Sequence, residues 1–184
     1  MIMKILLTIF LLFFSSSVFS EDISDFQIEG ISIGDSLLNY FTENEIKEKI
    51  LRNTFPGKDN KFLTVEIYSD FYEIYDLIQF HILDKDTNYK IYSIQAMIFQ
   101  DIKSCKKNFK EISIDLSKIF PNLKKESFHN NKLNDDGLYS GYYFEFANGD
   151  VAGTYCYDWY AKTGWSDNLR VSLYSAEFDN WLSN

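Results

Sequence analysis

The chain has 184 residues, with 27 acidic against 18 basic side chains and a formal net charge of −9. That excess of acid repels phosphate backbones and anionic headgroups, which sets nucleic acid and membrane surfaces aside as partners. Abundant Ile, Lys, Asn, Phe and Tyr beside scarce Pro, Arg and Ala fit a compositional bias, so an aromatic content of 18% is not by itself a stacking surface.

Residues 1–20 read as an export signal. Lys4 is a short basic start, Ile5 to Phe14 form an apolar core, and Val18 and Ser20 suit cleavage after Ser20. The apolar run is too short to span a bilayer, and no cysteine follows it to carry a lipid, so no stable membrane anchor is expected. The expected product is periplasmic or secreted, and residues 21–184 suffice for one domain. Losing Lys4 with the leader makes the charge more negative still.

In the mature chain, Asp22 to Gly30 reads as an extended arm or edge strand. Asp35 or Ser36 opens a short helix bearing Leu37, Leu38 and Phe41. Thr42 and Glu45 then form a capping box for a second helix, with Phe41 and Ile46 as its hydrophobic staple. Ile46, Ile50 and Leu51 supply its buried side, and it stops before Phe55-Pro56. Strands are predicted at Phe62–Tyr68, Ile74–Leu83 and Tyr89–Phe99. The last two flank the turn-rich Asp84-Lys85-Asp86-Thr87-Asn88.

From Asp101 to Phe120, Ile102, Cys105, Phe109, Ile112, Leu116 and Ile119 recur at spacings of three and four, one face of a helix. The polar residues up to Asp136-Gly137 read as a loop, with a short strand around Phe128. Next comes Tyr139 to Tyr160, with aromatic and β-branched residues on both sides of Asn148-Gly149, the strongest hairpin signal in the chain. A two-residue turn pairs Ala147 with Asp150 and Phe144 with Gly153. That register sets Tyr142, Phe144, Phe146, Val151, Tyr155 and Tyr157 on one face, and Tyr143, Glu145, Thr154 and Cys156 on the other. Leu169–Tyr174 adds a strand, and Ser175 caps a terminal turn in which Phe178, Trp181 and Leu182 share a side.

These elements predict an α+β fold, antiparallel sheet with two main helices packed on one face. The two prolines, 65 residues apart, each follow a phenylalanine. Sliding by that offset lays Ile74–Leu83 on Tyr139–Asn148, so a duplicated helix–strand–strand–strand unit, with halves 31–99 and 101–184, is one reading. Chance helix ends at proline are the other.

The two cysteines, Cys105 and Cys156, are expected to form one disulfide, since export places them in an oxidising compartment. The predicted register leaves a conflict: it puts Cys156 on the less apolar face, although the helix tethered to it should cover the more apolar one. A bulge near Gly153, or burial of both faces, would resolve it.

Chemical motifs are sparse. H-E-x-x-H, phosphate-binding and dinucleotide signatures are missing, and two histidines cannot make a His-rich metal site. No cofactor and no metal are expected. His81 reads as a strand histidine with an ordinary hydrogen bond, and His129 as solvated. Asp84, Asp86 and Asn88 copy the first calcium-loop positions, but Tyr89 replaces the required glycine. Lys103, Lys106, Lys107 and Lys110 form a basic stripe suited to docking an anionic group or an acidic partner, but a solvated amphipathic face needs the same lysines and is the preferred reading. Trp159, Tyr160 and Trp165, around the Ala161–Asp167 loop, are the candidate binding residues for a glycan or a protein.

Ile31-Ser32-Ile33-Gly34-Asp35-Ser36-Leu37, followed by paired short helices, resembles the opening of small exported modules of the outer-membrane-assembly lipoprotein and β-lactamase-inhibitor type. The resemblance implies an antiparallel sheet after the helices and a binding role. The function read from the chain is therefore an exported, non-enzymatic binding or interaction module whose partner is a protein or glycan of the envelope or medium. The alternative is a small periplasmic hydrolase using Asp158, Asp150 and Glu145, which needs two carboxylates facing each other in a cleft.

Overall fold

The computed structural model describes residues 22–55, 57–68, 72 and 74–184. The residues read as an export signal therefore lie outside the described residues, as does Pro56. Eight strands form one antiparallel sheet: β1 (Ile50–Leu51), β2 (Phe62–Tyr68), β3 (Leu77–Leu83), β4 (Ile91–Phe99), β5 (Lys125–Leu133), β6 (Gly137–Glu145), β7 (Val151–Trp159) and β8 (Asn168–Tyr174). Their spatial order is β1-β2-β3-β4-β8-β7-β6-β5. The helices are α1 (Glu43–Glu48), α2 (Ile102–Ile119) and α3 (Ala176–Ser183). The α+β expectation holds.

Local signals account for the helix ends. Thr42 and Glu45 satisfy each other's backbone donors as a capping box, Asp101 accepts from the amides of Lys103 and Ser104, and Ser175 accepts from that of Phe178. Tertiary packing decides what local signals do not. α1 ends at Glu48, well before Phe55, because Ile50 and Leu51 leave the helix to pair with Val65 and Thr64 of β2. Residues 125–133, expected to be mostly loop, are a nine-residue edge strand whose polar sequence carries no alternation to betray it. Residues 22–31 form a short 3-10 turn and an isolated bridge between Ile28 and Ile31 rather than an edge strand.

Alternation along the strands gives the sheet two unlike faces. The helical face carries Val65, Phe80, Ile94, Leu173, Ala152 and Phe144. Ile23, Phe26, Leu37 and Ile46 pack over it, together with Leu116 and Phe120 at the end of α2. Cys105 and Phe109 of α2 complete it against Cys156 and Leu169. The other face carries α3 at one end only, where Phe178 packs with Phe62, Val151 and Tyr174. α1 precedes the four-strand meander β1–β4 and α2 the three-strand meander β5–β7, and the two meanders flank β8 from opposite sides. Viewed from the helical face, one meander runs left to right and the other right to left, so the order of elements repeats while the hand does not.

The Cys105–Cys156 disulfide forms, with Cα atoms 5.9 Å apart. The hairpin register that made it puzzling is corrected by one residue. Phe146 N–H donates to the Asp150 carbonyl and Gly149 N–H to that of Phe146, each at 2.9 Å, which closes a three-residue loop with Gly149 at φ 85°. Phe144 therefore pairs with Ala152, not Gly153. A one-residue shift moves every β7 side chain to the opposite face. Thr154 and Cys156 join Tyr142 and Phe144 beneath α2, while Tyr155, Tyr157 and Trp159 move to the face that α2 does not cover. The displacement occurs at the turn, not at Gly153.

Candidate functional site

Most of the open face lies beyond α3, and its side chains come from the central strands. The pairings Gln79–Gln95–Ser172–Gly153–Tyr143, and next to them Leu77–Met97–Arg170–Tyr155–Gly141, run straight across β3, β4, β8, β7 and β6. Gly141 and Gly153 leave room for Tyr155 to lie flat: a Cβ at Gly141 would sit 2.5 Å from the Tyr155 ring, and one at Gly153 2.5 Å from its hydroxyl oxygen. Burial holds the Tyr155 phenol well above its ordinary pKa.

An aromatic row crosses the far end of this face. Phe128 meets Tyr139 at 4.8 Å, Tyr139 lies nearly parallel to Tyr157 at 5.8 Å, and Tyr157 nearly parallel to Trp159 at 5.5 Å. Trp165 closes the row against Trp159 at 4.6 Å, edge to face. The Arg170 guanidinium lies 4.2 Å from the Tyr157 ring centre and donates from Nη1 to Gln95 Oε1 at 2.7 Å. Trp165 is 59% exposed, with Tyr68 and Phe99 exposed on the same face across the sheet.

Two of the three residues singled out from the sequence, Trp159 and Trp165, thus stand together. Tyr160 is exposed but takes no part in the ring contacts among the described residues; its amide donates to the Asp136 carbonyl. Tyr139, Tyr157 and Arg170 were not anticipated. The corrected hairpin register reveals the tyrosines. Arg170 has its own signal: it is one of only two arginines, standing between leucine and valine in a strand whose apolar residues alternate with polar ones.

Near α3 the same face buries polar atoms. Among the described residues, His81 Nδ1, Ser93 Oγ and Ser172 Oγ, on adjacent or next-adjacent strands, have no partner within hydrogen-bond geometry, and neither does Arg170 Nε. The His81 ring stacks on Phe178 at 4.5 Å with Phe55 at 5.3 Å. Burial, aided by the Arg170 charge, pulls its pKa from 6.5 down to about 3. The ordinary hydrogen bond expected of His81 is not made. Asp179 of α3 moves the other way, raised by burial and by Glu145.

The carboxylates of the hydrolase reading do not converge. Asp150 Oδ1 accepts from the Ala176 amide at 2.7 Å, at the start of α3. Glu145 pairs with Val151 at one end of the hairpin and Asp158 with Leu138 at the other, where alternation sets it toward the helical face. Gly30-Ile31-Ser32-Ile33-Gly34 matches the G-x-S-x-G pattern, but that motif needs a strand-to-helix turn and a histidine. Ser32 instead donates its amide to Asp35 Oδ2 at 2.9 Å, and the histidines lie in β3 and β5. Asp86 accepts from the amides of Asn88 and Lys90, and Asp84 pairs with Arg52, so the calcium-like segment is a turn held by its own backbone. No group of three metal-ligating side chains occurs among the described residues. Two open depressions, of about 540 and 600 Å³, are lined by residues around Asp84–Tyr92 and around Gly57–Lys61 with Trp181; neither includes the aromatic row.

No helix among the described residues is long and apolar enough to cross a membrane. Comparison with family models, with curated proteins and with solved structures returns no match.

Proposed function

We propose that this chain is an exported, disulfide-tied, non-enzymatic module that binds a partner protein across the open sheet face. The observation that carries the reading is the composition of that face. Tyrosine, methionine and a single arginine occupy its middle, and tyrosine and tryptophan its far end, the residue types enriched at protein interfaces, with no lysine among them. A joined pair of cysteines suits an oxidising compartment and so supports export.

A protein fits better than a glycan because of how the rings lie. Sugars stack on free ring faces, whereas Tyr139, Tyr157 and Trp159 already lie nearly parallel against one another, and Arg170 lies over Tyr157. The row therefore presents edges, hydroxyls and an indole to a partner, which suits mixed apolar and hydrogen-bonded contact.

The test is site-specific photo-crosslinking in the cell of origin. A benzophenone side chain in place of Trp165 should trap one protein species that the same group in place of Ile114, exposed on α2, does not. The trapped protein, purified, should lose at least tenfold in affinity for the Tyr157→Ala/Trp165→Ala variant. Equal binding to that variant, or crosslinks from position 114 alone, would remove the reading.

A further inference from the structure

We propose that Arg170 receives a carboxylate from the partner: a single Asp or Glu side chain, or a chain terminus, flanked by apolar groups that rest on the aromatic row. This rests on the protein-binding reading above and specifies the chemistry at its centre.

The argument starts from pairing. Of the two arginines, Arg52 has a carboxylate partner in Asp84 at 3.1 Å, whereas among the described residues Arg170 has none. Its neighbours across the sheet are Met97 and Tyr155, and its guanidinium contacts the neutral Gln95 and Tyr157. Gln95 fixes the head group by one nitrogen. Arg170 Nε is buried without an acceptor, and the residue as a whole is half-buried, so part of the hydration of this charge is already lost.

A guanidinium cannot shed its proton to escape burial. A partner lying across the open face strips the remaining water from it, and an unpaired charge buried this way opposes binding strongly. Only an incoming anion removes that penalty, and the fork geometry of arginine matches a carboxylate with two parallel bonds. Polyanions are disfavoured by the same face. Glu66 and Glu126 lie on it at either side, and Glu145 and Asp179 stand together near α3, so extended negative charge is repelled while one carboxylate at the centre is accepted.

The experiment uses the oxidised protein and the smallest probe that combines a ring with a carboxylate, 3-phenylpropionate, against its uncharged amide. Binding is followed by the NMR signals of the Arg170 guanidinium and the Trp159 and Trp165 indoles. The acid should bind at least tenfold more tightly than the amide, with saturable shifts at all three signals. Arg170→Gln should bring the affinities for acid and amide to the same value, and Arg170→Lys, which keeps the charge but not the fork, should restore part of the difference. Unchanged backbone spectra establish that both variants are folded.

Equal affinity for acid and amide at the open face would overturn the carboxylate assignment and leave the protein-binding reading standing. So would a preference that survives in Arg170→Gln. Shifts confined to other surfaces, or none at all, would overturn the assignment, while the crosslinking result still decides the broader reading.

Discussion

The burial of His81 makes the stability of this protein depend on pH in a direction that can be worked out. The ring is 1% exposed, stacked on Phe178, close to Phe55 and repelled by the Arg170 charge. Its pKa is about 3 when folded and 6.5 when unfolded. Between those values the unfolded chain holds a proton that the folded chain does not, so stability falls as pH drops below 6.5 and stops falling from this source near 3. At about 1.4 kcal/mol per pH unit the loss approaches 3 kcal/mol by pH 4 and about 5 kcal/mol in full, an upper bound against typical stabilities of about 5–15 kcal/mol. Asp179 acts with the opposite sign, because its raised pKa lets the folded state take up the proton first. Comparison with His81→Phe, which keeps a ring against Phe178, cancels that contribution. Urea unfolding of both proteins from pH 7 to 4 should show the wild type losing about 3 kcal/mol relative to the variant. Parallel pH curves, or a His81 ring signal that titrates near 6.5 in the folded protein, would refute the reasoning.

Replacing both cysteines with alanine opens a loop that spans a sequence separation of 51 and should cost about 4 kcal/mol in the chain-entropy account. The check is urea denaturation, where the midpoint should fall by about 2 M for a slope near 2 kcal/mol/M; a loss under about 1 kcal/mol would contradict it. Deleting Ala147, an exposed loop residue, leaves Asn148-Gly149 as a two-residue turn that can still close the Phe146–Asp150 pair. The disulfide should therefore still form, with stability within about 1 kcal/mol of the parent, as read by thiol titration and unfolding; free thiols would show that loop length holds the register. Ser172→Ala removes a buried hydroxyl without a partner and should leave stability unchanged or raise it by up to about 1 kcal/mol in the same unfolding assay. A clear loss would mean that Ser172 makes a bond in solution that the structure does not contain.

Much of the fold is legible locally. The capping residues Thr42, Asp101 and Ser175 mark helix starts correctly, Phe62–Tyr68 matches its strand to the residue, and the apolar stripe from Ile102 to Ile119 gives α2 its buried side. What local reading misses depends on partners distant in sequence. Ile50 and Leu51 continue a helical pattern and leave it only because β2 is there to pair with. Lys125–Leu133 has no apolar alternation because it borders one neighbour and solvent. At Asn148-Gly149 both a two- and a three-residue loop satisfy the turn chemistry. The choice falls to burial: only the longer loop brings Ala152, Thr154 and Cys156 onto the side that α2 covers. That single choice also decides which aromatic residues face outward, so the candidate site was legible only in part, through Trp159 and Trp165.

β8 ties these observations together. It is the last strand in sequence yet lies between the two meanders, and its residues alternate strictly: Leu169, Val171 and Leu173 toward the helices, Asn168, Arg170, Ser172 and Tyr174 toward the open face. A face shaped for stability alone would not bury Ser93 Oγ, Ser172 Oγ and His81 Nδ1 without partners among the described residues, each omission costing about 1–3 kcal/mol, nor leave a half-buried arginine without a counter-charge among them. On the helical side, among the described residues, Thr154 Oγ1 and Tyr72 Oη, which packs against the apolar core there, are such orphans too. Most of the polar cost lies on the side that no long helix covers, near α3, and the aromatic row occupies the other end of that same face. Departures from local stability that gather on one face are the pattern expected where a surface is shaped by what it must bind rather than by what holds it together.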